Sequence, residues 1–165
     1  MSKFNVTPDG FENHYVLSAL RTIRLVKQLE DKDLDLRPGP GSMSTAEQIN
    51  HICASSNFIR GLLSEPEVKN EWFMRQYDVS SVDAAAKSLL GAMDEVKAAM
   101  KHVTPESWTE EVAPWGPDFK FTRGELAYTM VGHEIHHTGQ LHVYARMAGK
   151  VPAMLYHPVD EQALR

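Results

Sequence analysis

Two histidines four residues apart, His133 and His137, lie in the run Gly132-His133-Glu134-Ile135-His136-His137-Thr138-Gly139-Gln140-Leu141-His142. On a helix this separation displaces two side chains by about 40° around the axis and about 6 Å along it, so both imidazoles project side by side. Such a pair can grip one metal ion. It can equally be two core histidines bonded to backbone or other side chains, since an imidazole buried unsatisfied is costly. The chain has eight histidines, and four of them crowd into this stretch. His136 and His142 fall about 100° or more from the inward stripe and read as surface or flank residues.

His133-Glu134-x-x-His137 also spells the H-E-x-x-H pattern of zinc proteases, in which the glutamate is the general base. The longer protease pattern needs a glycine three residues after the second histidine and another histidine three beyond. Gln140 and Val143 occupy those positions here, while Gly139 and His142 each fall one residue early. One residue turns a helical side chain by about 100°, so the match does not make the chain a protease.

Open catalytic metal sites commonly use three protein ligands. His51 is the candidate third ligand. It lies about two turns into a predicted helix, on a flank shared with Ser55, Phe58 and Leu62. It meets His133 and His137 only if the two helices are suitably offset. Glu134 and Gln140 are candidate catalytic residues: Glu134 as a base near the ion or as a solvent-facing residue, Gln140 as a substrate contact or a polar cap. Glu47, one turn before His51, can orient its ring as an acceptor or serve only as a helix cap. Cys53 faces about 200° away from His51 and reads as a small core residue.

Four segments with helical apolar spacing must position these side chains. The first runs from about Phe11 to Glu30 behind the start signals Thr7-Pro8-Asp9. The second begins at the capping box Ser44-Thr45-Ala46-Glu47 and continues to about Leu63, before Pro66. The third starts near Ser80 or Ser81 and runs to about Val103. The fourth opens with a second capping box, Thr122-Arg123-Gly124-Glu125, and ends at Gly149, a candidate left-handed residue. Its inward stripe reads Leu126, Met130, His133, His137, Leu141, Tyr144 and Ala148. Segment 65–79, with Trp72, Phe73 and Tyr77, is expected to pack over one end of the bundle, and segment 108–121 to form a short hairpin beside it. The expectation is one all-α domain over residues 1–165, a four-helix bundle.

The run Leu36-Arg37-Pro38-Gly39-Pro40-Gly41-Ser42-Met43-Ser44-Thr45-Ala46-Glu47-Gln48-Ile49-Asn50-His51-Ile52 resembles the first signature of the DinB/YfiT-like superfamily: an arginine-proline loop, a serine-capped helix, then a histidine two turns on. The run from His133 to Leu141, followed by Arg146-Met147-Ala148-Gly149, is similar to the second signature. The resemblance implies a DinB/YfiT-like four-helix bundle in which His51, His133 and His137 hold a divalent ion, commonly nickel or zinc, with waters completing the shell. It also implies a homodimer. Relatives often carry arginine after the second helix-four ligand, where this chain has Thr138.

Charge and composition exclude other classes. A net charge of −5 with dispersed basic residues argues against nucleic acid. No apolar run reaches the roughly 18 residues of a membrane helix, and residues 1–10 show no leader-like apolar stretch. The single cysteine, Cys53, forms no internal disulfide, which fits a cytoplasmic setting. An open three-histidine site can polarise a substrate, activate water or bind a thiol as thiolate. Members of the resembling family include thiol-dependent transferases and isomerases. The expectation is therefore a metal-dependent enzyme that adds a low-molecular-weight thiol to an electrophilic small molecule. Metal-assisted hydrolysis and a non-catalytic metal- or ligand-binding dimer are the alternatives.

Overall fold

The computed structural model describes residues 7–165; residues 1–6, part of the stretch read above for a leader, lie outside the described residues. Each long helix starts where a preceding side chain satisfies free amides of the first turn. Thr7 Oγ1 accepts from Gly10 N at 3.2 Å, and Pro8 opens α1 (Pro8–Val26). Ser44 and Glu47 bond reciprocally to open α2 (Thr45–Ser64). Ser81 Oγ accepts from Ala84 N at 3.1 Å at the head of α3 (Val82–Met100). A one-turn helix α4 (Pro105–Thr109) leads into the antiparallel hairpin β1 (Glu111–Val112) and β2 (Phe121–Thr122). The second reciprocal box, Thr122 with Glu125, opens α5 (Arg123–Met147). Beyond it, Gly149 takes a left-handed φ of 77°, and a last turn, α6 (Glu161–Leu164), closes the described chain.

Two helices are shorter than their periodicity predicts. The first ends at Val26, not Glu30, because Glu30 N donates to Asp33 Oδ2 at 2.9 Å and the chain tightens into a 3-10 turn over Asp31–Asp33. The third ends at Met100, not Val103. Pro105 holds Thr104 in extended backbone (ψ 162°), so the preceding residues unwind into turns. The hairpin lies where segment 108–121 predicts one. Segment 65–79 packs on the bundle as expected, but along α2 rather than over an end. Phe73 stacks on Phe58 with centroids 4.4 Å apart, and Asn50 Oδ1 accepts from Tyr77 N at 2.8 Å.

Helices α1 and α2 each pack against both α3 and α5, around a core that includes Phe11, Tyr15, Ile23, Phe58, Met93 and Leu126. For the site, the pairing of α2 with α5 matters most. They run antiparallel, pinned at both ends. At one end the buried Arg123 guanidinium donates to Leu62 O (2.6 Å), Glu65 O (2.9 Å) and Pro66 O (2.6 Å), and its Nε donates to Glu110 Oε2 (2.7 Å). The rigid fork of arginine thereby satisfies carbonyls that the end of α2 leaves free. At the other end Tyr144 Oη donates to Met43 O at 3.1 Å. No helix among the described residues is long and apolar enough to cross a membrane.

Candidate metal centre

The antiparallel register brings His51, about two turns from the start of α2, level with the His133–His137 pair in the middle of α5. The three rings meet at their Nε2 atoms. His133 Nε2 lies 3.1 Å from His137 Nε2 and 3.3 Å from His51 Nε2. With metal–nitrogen bonds of about 2.0–2.1 Å, neighbouring ligands stand about 2.9 Å apart in an octahedral shell and about 3.4 Å apart in a tetrahedral one. The observed spacings fall in that interval, so the residues fit a small divalent ion. Among the described residues this is the one group of three or more such side chains close enough to hold an ion.

The outer ring nitrogens are also engaged. Ligation through Nε2 leaves the proton on Nδ1, where a neighbour should accept it. Gln140 Oε1 stands 3.1 Å from His137 Nδ1, and Ser55 Oγ stands 3.3 Å from His133 Nδ1. Gln48, itself buried, donates from Nε2 to the same Gln140 oxygen and lies 2.5 Å from His137 Nδ1. The rings are half-buried, and burial lowers the pKa of all three. His133 is brought down to about 4, with the neighbouring His137 and His51 adding to the effect. His51 is lowered by burial, and His137 by burial, opposed by the hydrogen bond it donates to Gln140. Neutral imidazole is the form that binds metal.

Other candidates fall elsewhere. Glu134 does not face solvent: it is 2% exposed, and Ser56 Oγ donates to its Oε1 at 2.7 Å. Burial pushes its carboxyl up to about 8. The buried stripe of α5 is therefore rotated from the predicted one. It centres on Ala127, Val131, Glu134, Thr138, Leu141 and Ala145, with the two histidines on its flank. Thr138 closes its own part of the seam, meeting Thr22 Oγ1 at 2.7 Å and donating to Glu134 O at 2.8 Å. Gln140 borders the site as expected. Glu47 does not orient His51; it is held by Ser44 N at 2.8 Å and by Arg37 at 2.7 and 2.8 Å. Cys53 is fully buried and burial raises its thiol pKa, so it is a core residue. His136 is exposed and meets Gln140 Nε2 at 2.9 Å, while His142 is half-buried on the flank. Sequence reasoning missed Gln48, although it lies one turn before His51 and so shares its face.

Two clefts reach the triad from either side. One, of about 440 Å³, runs past His137, Gln48, Gln140 and Tyr144. The other, of about 370 Å³, runs past His51, Asn50, Gln76 and Tyr77. Met43 forms part of the wall of both.

Fold and site together define a helix bundle carrying a three-histidine group that could hold a metal ion. The chain belongs to the DinB family, whose sequence model matches residues 1–164. It is 23% identical over 147 residues to the uncharacterized protein YjoA of Bacillus subtilis (strain 168), spanning 87% of this chain and 92% of that protein. The crystal structure of that DinB-like protein superposes with a TM-score of 0.74 at 22% identity, over 89% of this chain and 96% of the other. A DinB-like protein from Bacillus cereus ATCC 10987 gives a TM-score of 0.73 at 22% identity, over 90% and 97% of the two chains. These likenesses bear out the DinB-like four-helix fold.

Proposed function

We propose that the chain is a metal-dependent enzyme that joins a small thiol to an electrophilic small molecule, with His51, His133 and His137 as ligands of a zinc or nickel ion. Imidazole suits both metals. Held there, the ion supplies a Lewis acid that favours the deprotonated form of a coordinated thiol. One observation carries the preference for a thiol over water. The two carboxylates nearest the triad in sequence are both committed elsewhere, Glu134 to Ser56 in the core and Glu47 to Arg37 and the cap of α2. Neither stands ready as a general base. A thiol needs little help of that kind, because it is already far more acidic than water. The clefts on either side of the triad give the two substrates separate approaches. Gln48 and Gln140 line the first cleft, supplying uncharged hydrogen-bonding groups beside His137.

Elemental analysis of the purified protein, beside variants with His51, His133 or His137 changed to alanine, is the first test. The expected result is about one ion per chain in the wild type, lost or sharply weakened in each variant. Full occupancy in His51→Ala would break the site. Electrophile panels with and without added thiol then test the reaction: turnover that needs no thiol would point to hydrolysis and overturn the transfer reading.

A further inference from the structure

The opposite face of α5 carries a second cavity that the triad does not use. It lies between α1 and α5, has a volume of about 190 Å³, and is bounded by His14, Ser18, Arg21, Thr138 and His142, with Ile135 and Leu155 at the rim. Arg21 is its odd member. Every other arginine bonds at least one carbonyl or carboxylate. Arg21 has no hydrogen bond or ion pair among the described residues, and its Nε is shut off from water without a partner. An Nε–H left in that state is costly, and an anion would offset the cost. No carboxylate lines the cavity to do so. Ser18 Oγ is a further polar group there with no partner among the described residues.

The cavity also has a built outer wall. Chain 151–158 has no regular structure, yet it is strapped across α1. Arg24 donates to Met154 O (2.9 Å), His157 O (3.1 Å) and Pro158 O (3.2 Å), and Gln28 Oε1 accepts from Ala153 N (3.1 Å). That strap holds Leu155 over the opening, although its side chain remains exposed, as does that of Ile135 opposite. A trough of about 410 Å³ continues from the same His142 and Leu155 toward Met154 and Tyr156. The cavity alone is smaller than the roughly 300 Å³ at which drug-sized ligand sites begin, whereas cavity and trough together accept a chain.

We propose that this cavity binds an amphiphilic carboxylate, with its carboxylate on Arg21 and Ser18 and its hydrocarbon along Ile135 and Leu155. The planar fork of arginine matches a carboxylate, and the exposed apolar rim matches a short aliphatic or aryl tail. Arg21 is the one permanent cation on the lining, which suits a monoanion.

The test is a titration of metal-free protein with hexanoate, followed by amide chemical shifts and calorimetry. Saturable binding with a dissociation constant on the order of 1 mM is expected, with shifts on the facing surfaces of α1 and α5. Hexanol should not bind, and inorganic phosphate should not compete. Arg21→Gln should weaken hexanoate by about tenfold or more, the loss of one charge-assisted contact. Leu155→Asp, on the exposed strap, should weaken it too by placing like charge at the rim. His51→Ala should bind as the wild type does, which separates this cavity from carboxylate capture at the triad. The proposal is overturned by an unchanged affinity in Arg21→Gln, by loss of binding in His51→Ala, or by absence of saturation. Competition by inorganic phosphate would replace the carboxylate with a phosphate ligand. A change of oligomeric state in Arg21→Gln would give the cavity to a subunit contact instead.

Discussion

Replacing Gln140 with leucine removes the acceptor that faces His137 Nδ1 at 3.1 Å and leaves the ring itself in place. The side chain is half-buried and leucine is close to it in size, so the cost to the fold is small. The cost to the proposed metal site is not. Loss of a group that orients a ligating imidazole typically weakens metal binding 10–100-fold, or about 1.4–2.8 kcal/mol. The same change strips Gln48 Nε2 of its acceptor beside the ring. We expect the upper part of that range. Ser55→Ala removes the corresponding partner of His133, but at 3.3 Å that contact lies beyond the usual 2.7–3.2 Å for such bonds. Its effect should be about tenfold or less. A competition titration against a chromophoric chelator at fixed pH measures both, with circular dichroism to show that the helices are intact. Wild-type affinity in Gln140→Leu, or a larger loss in Ser55→Ala than in Gln140→Leu, would refute the reasoning.

Three further outcomes follow from packing and charge. A Cβ on Gly61 would stand 2.4 Å from Trp72 Cε3. Gly61→Ala should therefore lose about 1 kcal/mol net despite the better helix propensity of alanine, lowering Tm by about 2–4 °C, and a raised Tm in a thermal scan would contradict it. Because burial raises the Cys53 thiol, a thiol reagent should leave the native protein unlabelled and modify it only in urea; rapid native labelling would show that α2 opens locally. Lys150 and Lys32 hold the Glu30 carboxyl down at about 2, below its ordinary 4.5. A depressed folded-state pKa stabilises above the unfolded value and is lost as pH falls through the folded one. The urea midpoints of wild type and Glu30→Gln should thus differ at pH 6 and converge between about pH 4.5 and 2, and a difference independent of pH would refute this.

Much of this was legible because it depends on local chemistry. Ser44-Thr45-Ala46-Glu47 and Thr122-Arg123-Gly124-Glu125 mark the starts of α2 and α5 because a hydroxyl and a carboxylate three residues apart satisfy each other's amides. The i, i+4 spacing brings His133 and His137 together for the same local reason. What was not legible depends on register between distant segments. The depth match of His51 with the pair on α5 is set by Arg123 at one end and Tyr144 at the other, and neither residue announces a partner about 60 or 100 positions away. The place of Glu134 was misread because it sits one residue off the expected histidine stripe, which left only a base near the ion or a solvent-facing side chain. Only the position of Ser56 across the seam shows that the core has room for it.

The two pins at the ends of the α2–α5 seam have a consequence for how such a protein can diversify. They tie α5 to the two ends of α2, through Leu62 O, Glu65 O and Pro66 O at one end and Met43 O at the other, so residues 67–79 and the hairpin turn lie outside the pins. Those segments supply walls: Gln76 and Tyr77 line the cleft beside His51, and the ring of Phe73 stands 6.4 Å from that of His133. Insertions or exchanges there can reshape what enters the clefts while leaving the seam intact. A library confined to residues 67–79 and 113–120 would therefore be the economical way to recruit this scaffold to new ligands.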